Sequence, residues 1–297
     1  MYYCFIINAN GGKEQNLTLL QEKINDLPLK PDYQIHATEG PQDATHFVKA
    51  YCEQHPTDEV CFVACGGDGT IMQVASGMVG ASNKCLAVMP FGSGNDFIKY
   101  YKDRDFMDLG KLICGETHLI DILKVNDSYS INVCNFGFDS VVGGTANRIN
   151  ARGGKNGYRR GVVAGILKGR FNRIKVVADG EQISKKKMLL CTLANNHYVG
   201  GEFLCAPRAK NDDGLIDVCH IHTMPLLTFL SLLPVYTKGE HLDSKKFENK
   251  IVYRQAKHVE VSSEKEIELC LDGEMLPGTH FNIDILPQAI NFVIPQA

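Results

Sequence analysis

No run of about eighteen uninterrupted apolar residues occurs in the 297-residue sequence, so no transmembrane helix is predicted. The opening residues, Met1 to Asn8, lack a basic cluster and form only a short apolar run. They read as a buried strand rather than a secretion signal. Excess positive charge is also missing. The formal net charge is -3 and the pI about 6.4, unlike the strongly basic balance of general nucleic-acid binders. The eleven cysteines show no disulfide-like spacing. An odd number without a secretion signal predicts reduced thiols in a cytoplasmic protein. Internal repeats and low-complexity linkers are absent. What is present is an ordinary globular composition, 44% hydrophobic and 22% charged, at a length suited to one large domain or two ordinary ones.

The first third alternates strand and helix patterns. Apolar runs at residues 2–8, 33–37, 60–65 and 86–90 read as strands. The run at 60–65, bounded by charge and then by glycine, suits a central parallel strand buried on both faces. Leu17, Leu20, Ile24 and Leu27 have helical spacing, and Pro28 and Pro31 close that helix. Ala44, Phe47, Val48 and Tyr51 mark a second helix opening near Gln42, and residues 71–80 a third that begins after Thr70. Repeated βα units predict a parallel α/β sheet. From about residue 120 the pattern changes to short β-type runs at 120–125, 129–136, 174–178, 188–195, 215–221, 258–262 and 267–271. Asp179-Gly180 reads as a hairpin turn. Helices interrupt at 158–169 and 225–237, the second apolar enough to be packed. The expected organisation is an α/β domain at 1–119, a mostly antiparallel β domain at 120–282, and a tail at 283–297 returning to the first.

Three Gly/Asn clusters follow predicted strands, at residues 8–12, 66–70 and 92–96. Ligands of open parallel sheets bind beyond the carboxyl ends of strands, so three such loops would face one site. Glycine lets backbone N–H groups approach phosphate closely, and a helix start aims further N–H groups at an anion. Neither G-x-G-x-x-G at these turns nor G-x-x-x-x-G-K-[ST] is found, which disfavours a standard dinucleotide dehydrogenase and a P-loop enzyme. Asp68 inside the second cluster is informative. A carboxylate among phosphate-binding amides repels phosphate unless a cation lies between, and Mg²⁺ binds through few carboxylates plus phosphate. The bland alternative is a tight turn.

Gly66-Gly67-Asp68-Gly69-Thr70, followed by Pro90-Phe91-Gly92-Ser93-Gly94-Asn95-Asp96-Phe97, resembles the diacylglycerol kinase catalytic domain. It is similar in particular to the soluble bacterial lipid kinases of diacylglycerol and phosphatidylglycerol type, relatives of sphingosine and ceramide kinases. The resemblance runs over essentially the whole chain. It continues through Asn135-Phe136-Gly137-Phe138-Asp139, Asn195-Asn196, Gly200-Gly201, Pro207-x-Ala209, Asp212-Asp213-Gly214-Leu215-Ile216-Asp217 and Leu271-Asp272-Gly273-Glu274. It implies an NAD kinase/diacylglycerol kinase-like α/β nucleotide domain, then a β-sandwich substrate domain, with chemistry in the cleft between them. It implies ATP and Mg²⁺ as cofactors and a lipid hydroxyl as acceptor at a membrane surface, the inner face for a cytoplasmic protein. A homodimer is left open, and no nucleic-acid partner is expected.

The same resemblance assigns residues. Asn8, Asn10, Gly11, Gly12 and Thr38 would contact the nucleotide, and Gly66, Gly67, Asp68, Gly69 and Thr70 would hold its phosphates, with Ser93 and Asn95 beside them. Asp68 and Asp96 would organise Mg²⁺. Asp213, with the backbone carbonyls of Lys210 and Leu215, would form a structural Mg²⁺ site. Asp272 and Glu274 would supply the base. Two departures are visible. The usual first motif has Asn-Pro-x-x-Gly character and here reads Asn8-Ala9-Asn10-Gly11-Gly12, and the usual Gly-Thr reads Gly92-Ser93, which keeps the hydroxyl.

A carboxylate in hydrogen-bond reach can accept the proton of a lipid hydroxyl as it attacks phosphorus. Asp272 is the first choice and Glu274 the second. Two apart, they would face the same way in an extended strand, but Gly273 suggests a hairpin turn instead. Residues 148–175 carry Arg148, Arg152, Lys155, Arg159, Arg160, Lys168, Arg170, Arg173 and Lys175 without an acid, a candidate membrane contact or simply a solvated basic face. His220 and His222 share a strand face but lack a third metal ligand, and Cys61 and Cys65 read as core. An NAD kinase shares the Gly-Gly-Asp-Gly loop but differs at residues 92–97. A phosphofructokinase-like enzyme fits fewer motifs still. From another class, a catalytically silent lipid or nucleotide binder would have no need of Asp68, Asp96, Asp272 and Glu274 together.

Overall fold

A computed structural model of the chain describes residues 1–8, 13–138, 140 and 174–297. The expected helix at 158–169, Asp139 and the basic residues from Arg148 to Arg173 lie outside the described residues. By internal contacts the chain divides into two units, Met1–Ile122 with Pro287–Ala297, and Leu123–Leu286.

In the first unit β1 (Tyr2–Ile7), β2 (Tyr33–Ala37), β3 (Val60–Gly66) and β4 (Lys84–Pro90) pair in parallel, in the order β2-β1-β3-β4. Every residue of β3 is buried, as a strand covered on both faces requires. α1 (Lys13–Asn25), α2 (Asp43–Gln54) and α3 (Asp68–Met78) fill the connections. α2 buries Ala44, Val48 and Cys52, four residues apart on one face. α3 approaches it closely at Gly77, where a Cβ would stand 2.8 Å from the Thr45 carbonyl oxygen. β4 begins two residues before its apolar run. The reason is Lys84, whose buried Nζ donates to the Asp58 and Ser82 carbonyls at 2.6 and 3.2 Å. A short α4 (Leu109–Ile113), capped by Asp108, and β5 (Glu116–Val125), which belongs to this unit as far as Ile122, follow. The chain's last residues close this unit. Phe292 aligns with Leu86 of β4 and packs its ring on Phe97, Tyr101 and Phe106 at centroid distances of 5.1, 5.2 and 6.1 Å.

The second unit is built from β6 (Ser128–Ser130), β7 (Val133–Gly137), β8 (Ile174–Ala178), β9 (Glu181–Gln182), β10 (Met188–Ala194), β11 (Tyr198–Val199), β12 (Phe203–Leu204), β13 (Ile216–His222), α5 (Leu226–Thr237), β14 (Ile251–Ala256), β15 (His258–Leu271) and the first half of β16 (Glu274–Ile294). Its strand pairs are antiparallel. The two runs expected at 258–262 and 267–271 are one strand. β15 pairs with β8 through residues 259–263 and with β7 through 270–271, and its register against β16 shifts between Ser262 and Ile267. What resembles a loop in sequence is the bend where one strand changes neighbours, the way sandwich corners are made. One core cluster includes Phe136, Cys191, Val218, Val261 and Phe281. A second lies where α5 brings Phe229, Leu232 and Tyr236 onto Leu189, Cys219 and Ile221. No helix among the described residues is long and apolar enough to cross a membrane.

Burial has a titration consequence. His220 and His241 are each 1% exposed, and desolvation holds their imidazoles down at about 4. The unfolded value is about 6.5. Between these values the unfolded chain binds more protons, so stability present above the unfolded value is lost as pH falls toward the folded one. Melting temperature is therefore expected to fall as pH drops from about 6.5 to about 4. The double substitution His220→Leu/His241→Phe should flatten that segment of a thermal-melt pH series; parallel profiles would contradict the assignment.

Candidate functional site

The site begins where β3 meets α3. Gly67 is extended, with φ -97° and ψ -169°, and its carbonyl accepts from Thr70 N at 2.9 Å and Ile71 N at 3.1 Å. α3 thus starts at Asp68, not after Thr70 as its apolar periodicity suggests. Its first turn is polar, so no hydrophobic spacing announces it. Asp68, Gly69 and Thr70 are that turn, whose N–H groups include the orphan donors of a helix start. The helix dipole adds a preference for negative charge there.

The next loop touches this one backbone to backbone. A Cβ on Gly92 would fall 2.3 Å from Gly67 Cα and 2.9 Å from Gly67 N, so any side chain there forces the two backbones apart. Asn95 closes the loop from within. It adopts a left-handed conformation, φ 51°, and its Nδ2 donates to the Gly92 carbonyl at 2.8 Å. Its Oδ1 is buried without a hydrogen-bond partner.

Two carboxylates converge beside the contact. Asp68 Oδ1 accepts from Phe97 N at 2.9 Å, and Asp96 Oδ1 takes Lys99 Nζ at 2.6 Å. The second oxygens of both border Gly94, where a Cβ would lie 3.1 Å from Asp68 Oδ2 and 4.0 Å from Asp96 Oδ2. Burial pushes the Asp68 carboxyl above its ordinary value, backbone N–H groups of Phe97 and Asp96 oppose this, and the charge of Asp96 adds to it. A divalent cation relieves both the desolvation and the like-charge repulsion. Few carboxylates next to a phosphate site are the donor set that Mg²⁺ accepts, so these residues fit it. Lys99 was not anticipated. Its signal is the i,i+3 spacing from Asp96.

The strand register brings the other nucleotide candidates to the same sheet edge. Ile7 is level with Ala37 and Cys65, and Gly66 with Pro90. Asn8 N donates to the Cys65 carbonyl at 3.4 Å, and Thr38 N to that of Ile7 at 2.9 Å. Ser93 is exposed at the tip of its loop. Asn10, Gly11 and Gly12 lie outside the described residues.

The remaining candidates belong to the second unit. Asp272 and Gly273, with φ 46° and 94°, form the two-residue turn between Leu271 and Glu274, so the extended-strand placement of the two acids does not hold. The Asp272 carboxylate bridges to a distant segment. Oδ2 accepts from Ile131 N at 2.8 Å and Asn132 N at 3.4 Å, and Oδ1 from Val133 N at 2.8 Å. Those bonds explain why the expected run at 129–136 is split between β6 and β7. Glu274 is half-buried at the start of β16. Asp213 folds back on its own turn, Oδ1 accepting from Leu215 N at 3.1 Å across Gly214, and Lys210 precedes that turn. The His220 and His222 rings lie 5.2 Å apart, and no cluster of three or more His, Cys, Asp or Glu among the described residues could hold a metal.

Comparison with known proteins gives two family matches. Residues 2–125 match the diacylglycerol kinase catalytic domain, and residues 132–294 match the YegS C-terminal NAD kinase beta sandwich-like domain. A diacylglycerol kinase of Bacillus subtilis (strain 168) is 30% identical over 303 residues, covering 98% of this chain and 95% of its own length. A probable lipid kinase YegS-like protein of Serratia proteamaculans (strain 568) is 29% identical over 304 residues, covering 98% and 93%. A crystal structure of a putative diacylglycerol kinase from Bacillus anthracis str. Sterne superposes with a TM-score of 0.75 at 23% identity, over 99% of this chain and 97% of that one. The fold is accordingly a parallel α/β sheet followed by a β-sandwich-like domain.

Gly69 offers a clean test of the anion reading. A Cβ there meets nothing within 4 Å, so Gly69→Ala costs the fold nothing and favours the helix. The expected result is an unchanged or higher melting temperature with ATP affinity reduced at least about tenfold, because the methyl occupies space the phosphates need. Unchanged ATP affinity by calorimetric titration would show that the first turn does not hold them.

Proposed function

We propose that this chain, which belongs to the diacylglycerol kinase family of lipid kinases, transfers the γ-phosphate of ATP to the hydroxyl of diacylglycerol or a closely related membrane lipid. The observation that carries this reading is the Gly67–Gly92 contact, which sets a helix N-terminus beside two converging carboxylates. Phosphoryl transfer asks a protein mainly for positioning and charge neutralisation. The first turn of α3 offers N–H groups to the phosphates, with Asn8, Thr38, Ser93 and Asn95 at the same sheet edge. Asp68 and Asp96 would hold Mg²⁺, which supplies positive charge at the transferring group. Asp213, with the carbonyls of Lys210 and Leu215, would hold a second, structural Mg²⁺.

In the transfer, the lipid oxygen forms a bond to the γ-phosphorus, the bond from that phosphorus to the bridging oxygen breaks, and ADP leaves. The lipid proton goes to a carboxylate. Glu274 takes this role in our reading. Asp272 already accepts three backbone N–H groups and holds the hairpin that presents Glu274.

The test is label transfer from γ-labelled ATP with Mg²⁺ to a panel of diacylglycerol, phosphatidylglycerol, sphingosine and NAD. Label is expected in diacylglycerol or a related lipid; label in NAD alone would replace this reading with a nucleotide kinase. Asp68→Asn should lower turnover by about a thousandfold without lowering the melting temperature, since burial penalises only the charged form. Glu274→Gln should reduce kcat by about a hundredfold or more at unchanged stability. Asp272→Asn turns an amide toward backbone donors and should instead destabilise, by about 1–3 kcal/mol. A fully active Glu274→Gln variant would remove that residue as the base.

A further inference from the structure

α5 is apolar on both sides. Phe229, Leu232 and Tyr236 form its buried face. The other face carries no charge, unlike an ordinary water-facing helix side. Leu226, Leu227 and Leu230 are 39%, 81% and 46% exposed, and no charged residue occurs from Leu226 to Thr237. Only seven large hydrophobic side chains are exposed among the described residues, so three on one helix form a patch rather than scatter.

The charge missing from the helix stands at its rim. Thr223 N donates to the Lys187 carbonyl at 2.9 Å, which fixes the exposed run Lys185, Lys186 and Lys187 beside the start of α5. No acid occurs in the sequence between Glu181 and Glu202. Exposed Lys246 donates from Nζ to Ser231 Oγ of α5 at 3.0 Å and Lys245 adjoins it, in a segment that also carries exposed Glu248 and Asp243, the latter ion-paired with Arg208.

We propose that this face of α5, with Lys185, Lys186, Lys187 and Lys246, is the surface on which the protein lies against an anionic lipid bilayer. The leucines enter the acyl boundary while the lysines meet headgroup phosphates. Charge selects this occupant. An anionic bilayer complements the Lys185, Lys186 and Lys187 run, whereas a second copy of the same surface brings no excess of negative charge to it. The inference rests on the lipid kinase reading for its purpose, because an acceptor of that kind resides in a bilayer. It is independent of the basic residues near 148–173.

Co-sedimentation tests it, using vesicles of equal parts phosphatidylglycerol and phosphatidylcholine against vesicles of phosphatidylcholine alone. The full chain should partition to the anionic vesicles and be released by salt. Leu227→Glu/Leu230→Glu should weaken that partition at least about tenfold. Replacing Lys185, Lys186 and Lys187 by glutamine should weaken it about a hundredfold. Both variants should keep the wild-type melting temperature and wild-type phosphorylation of a short-chain diacylglycerol dissolved in water. Undiminished vesicle binding in both variants overturns the proposal. So does conversion of a dimer to a monomer by Leu227→Glu/Leu230→Glu with vesicle binding intact, which would make the patch a contact between copies. If the wild-type chain binds vesicles through this face but labels no lipid of the panel, the kinase reading fails and the surface stands.

Discussion

The contact between Gly67 and Gly92 is the constraint on which the site depends. Two strand-to-helix connections meet there with no side chain between them. Each neighbouring feature follows from that closeness. The first turn of α3 lies against the loop after β4, and Asn95 has to fold under that loop in a left-handed conformation. Gly94 leaves room where the Asp68 and Asp96 oxygens converge. A Cβ at Gly92 would open the pair and separate the start of α3 from the carboxylates.

Such an arrangement is costly in isolation. Asp68 is desolvated next to a like charge, Asn95 Oδ1 is buried without a partner, and a left-handed asparagine stores some strain. The offset comes from the ordinary packing behind it. Phe97 immediately follows the loop, its N–H fixes Asp68 Oδ1, and its ring packs on Phe292 from the far end of the chain. The loop after β4 is thus anchored by the tail and by a central strand buried on both faces. The pattern is one in which local rules are broken at the site and kept everywhere around it.

The strands of the first unit were legible as apolar runs, because parallel strands buried on both faces leave little else to encode. Lys84 was misleading there, since a buried lysine satisfied by carbonyls reads as surface. The start of α3 is hidden in the sequence because its first turn is Asp-Gly-Thr and carries no periodicity. In the second unit the bend in β15 resembled a loop, since strand exchange leaves a polar gap in the pattern. The backbone partners of Asp272 are not legible in the sequence. Its carboxylate serves residues 131–133, far away along the chain, and only the fold brings them together. For α5 the apolar composition predicted packing, and the structure packs one face while leaving the leucines of the other exposed.

Family membership and geometry address different parts of the account. The matches over both units establish a lipid kinase family, and the loops explain how a chain of this sequence could handle a phosphate and a cation together. The most direct measurement of the central claim is calorimetric titration of ATP in the presence of Mg²⁺ into Gly92→Ala, with circular dichroism to verify its fold. Forcing the two backbones apart should weaken ATP binding by about a hundredfold in a chain that remains folded. A folded Gly92→Ala protein that binds ATP as tightly as the natural sequence would contradict the account.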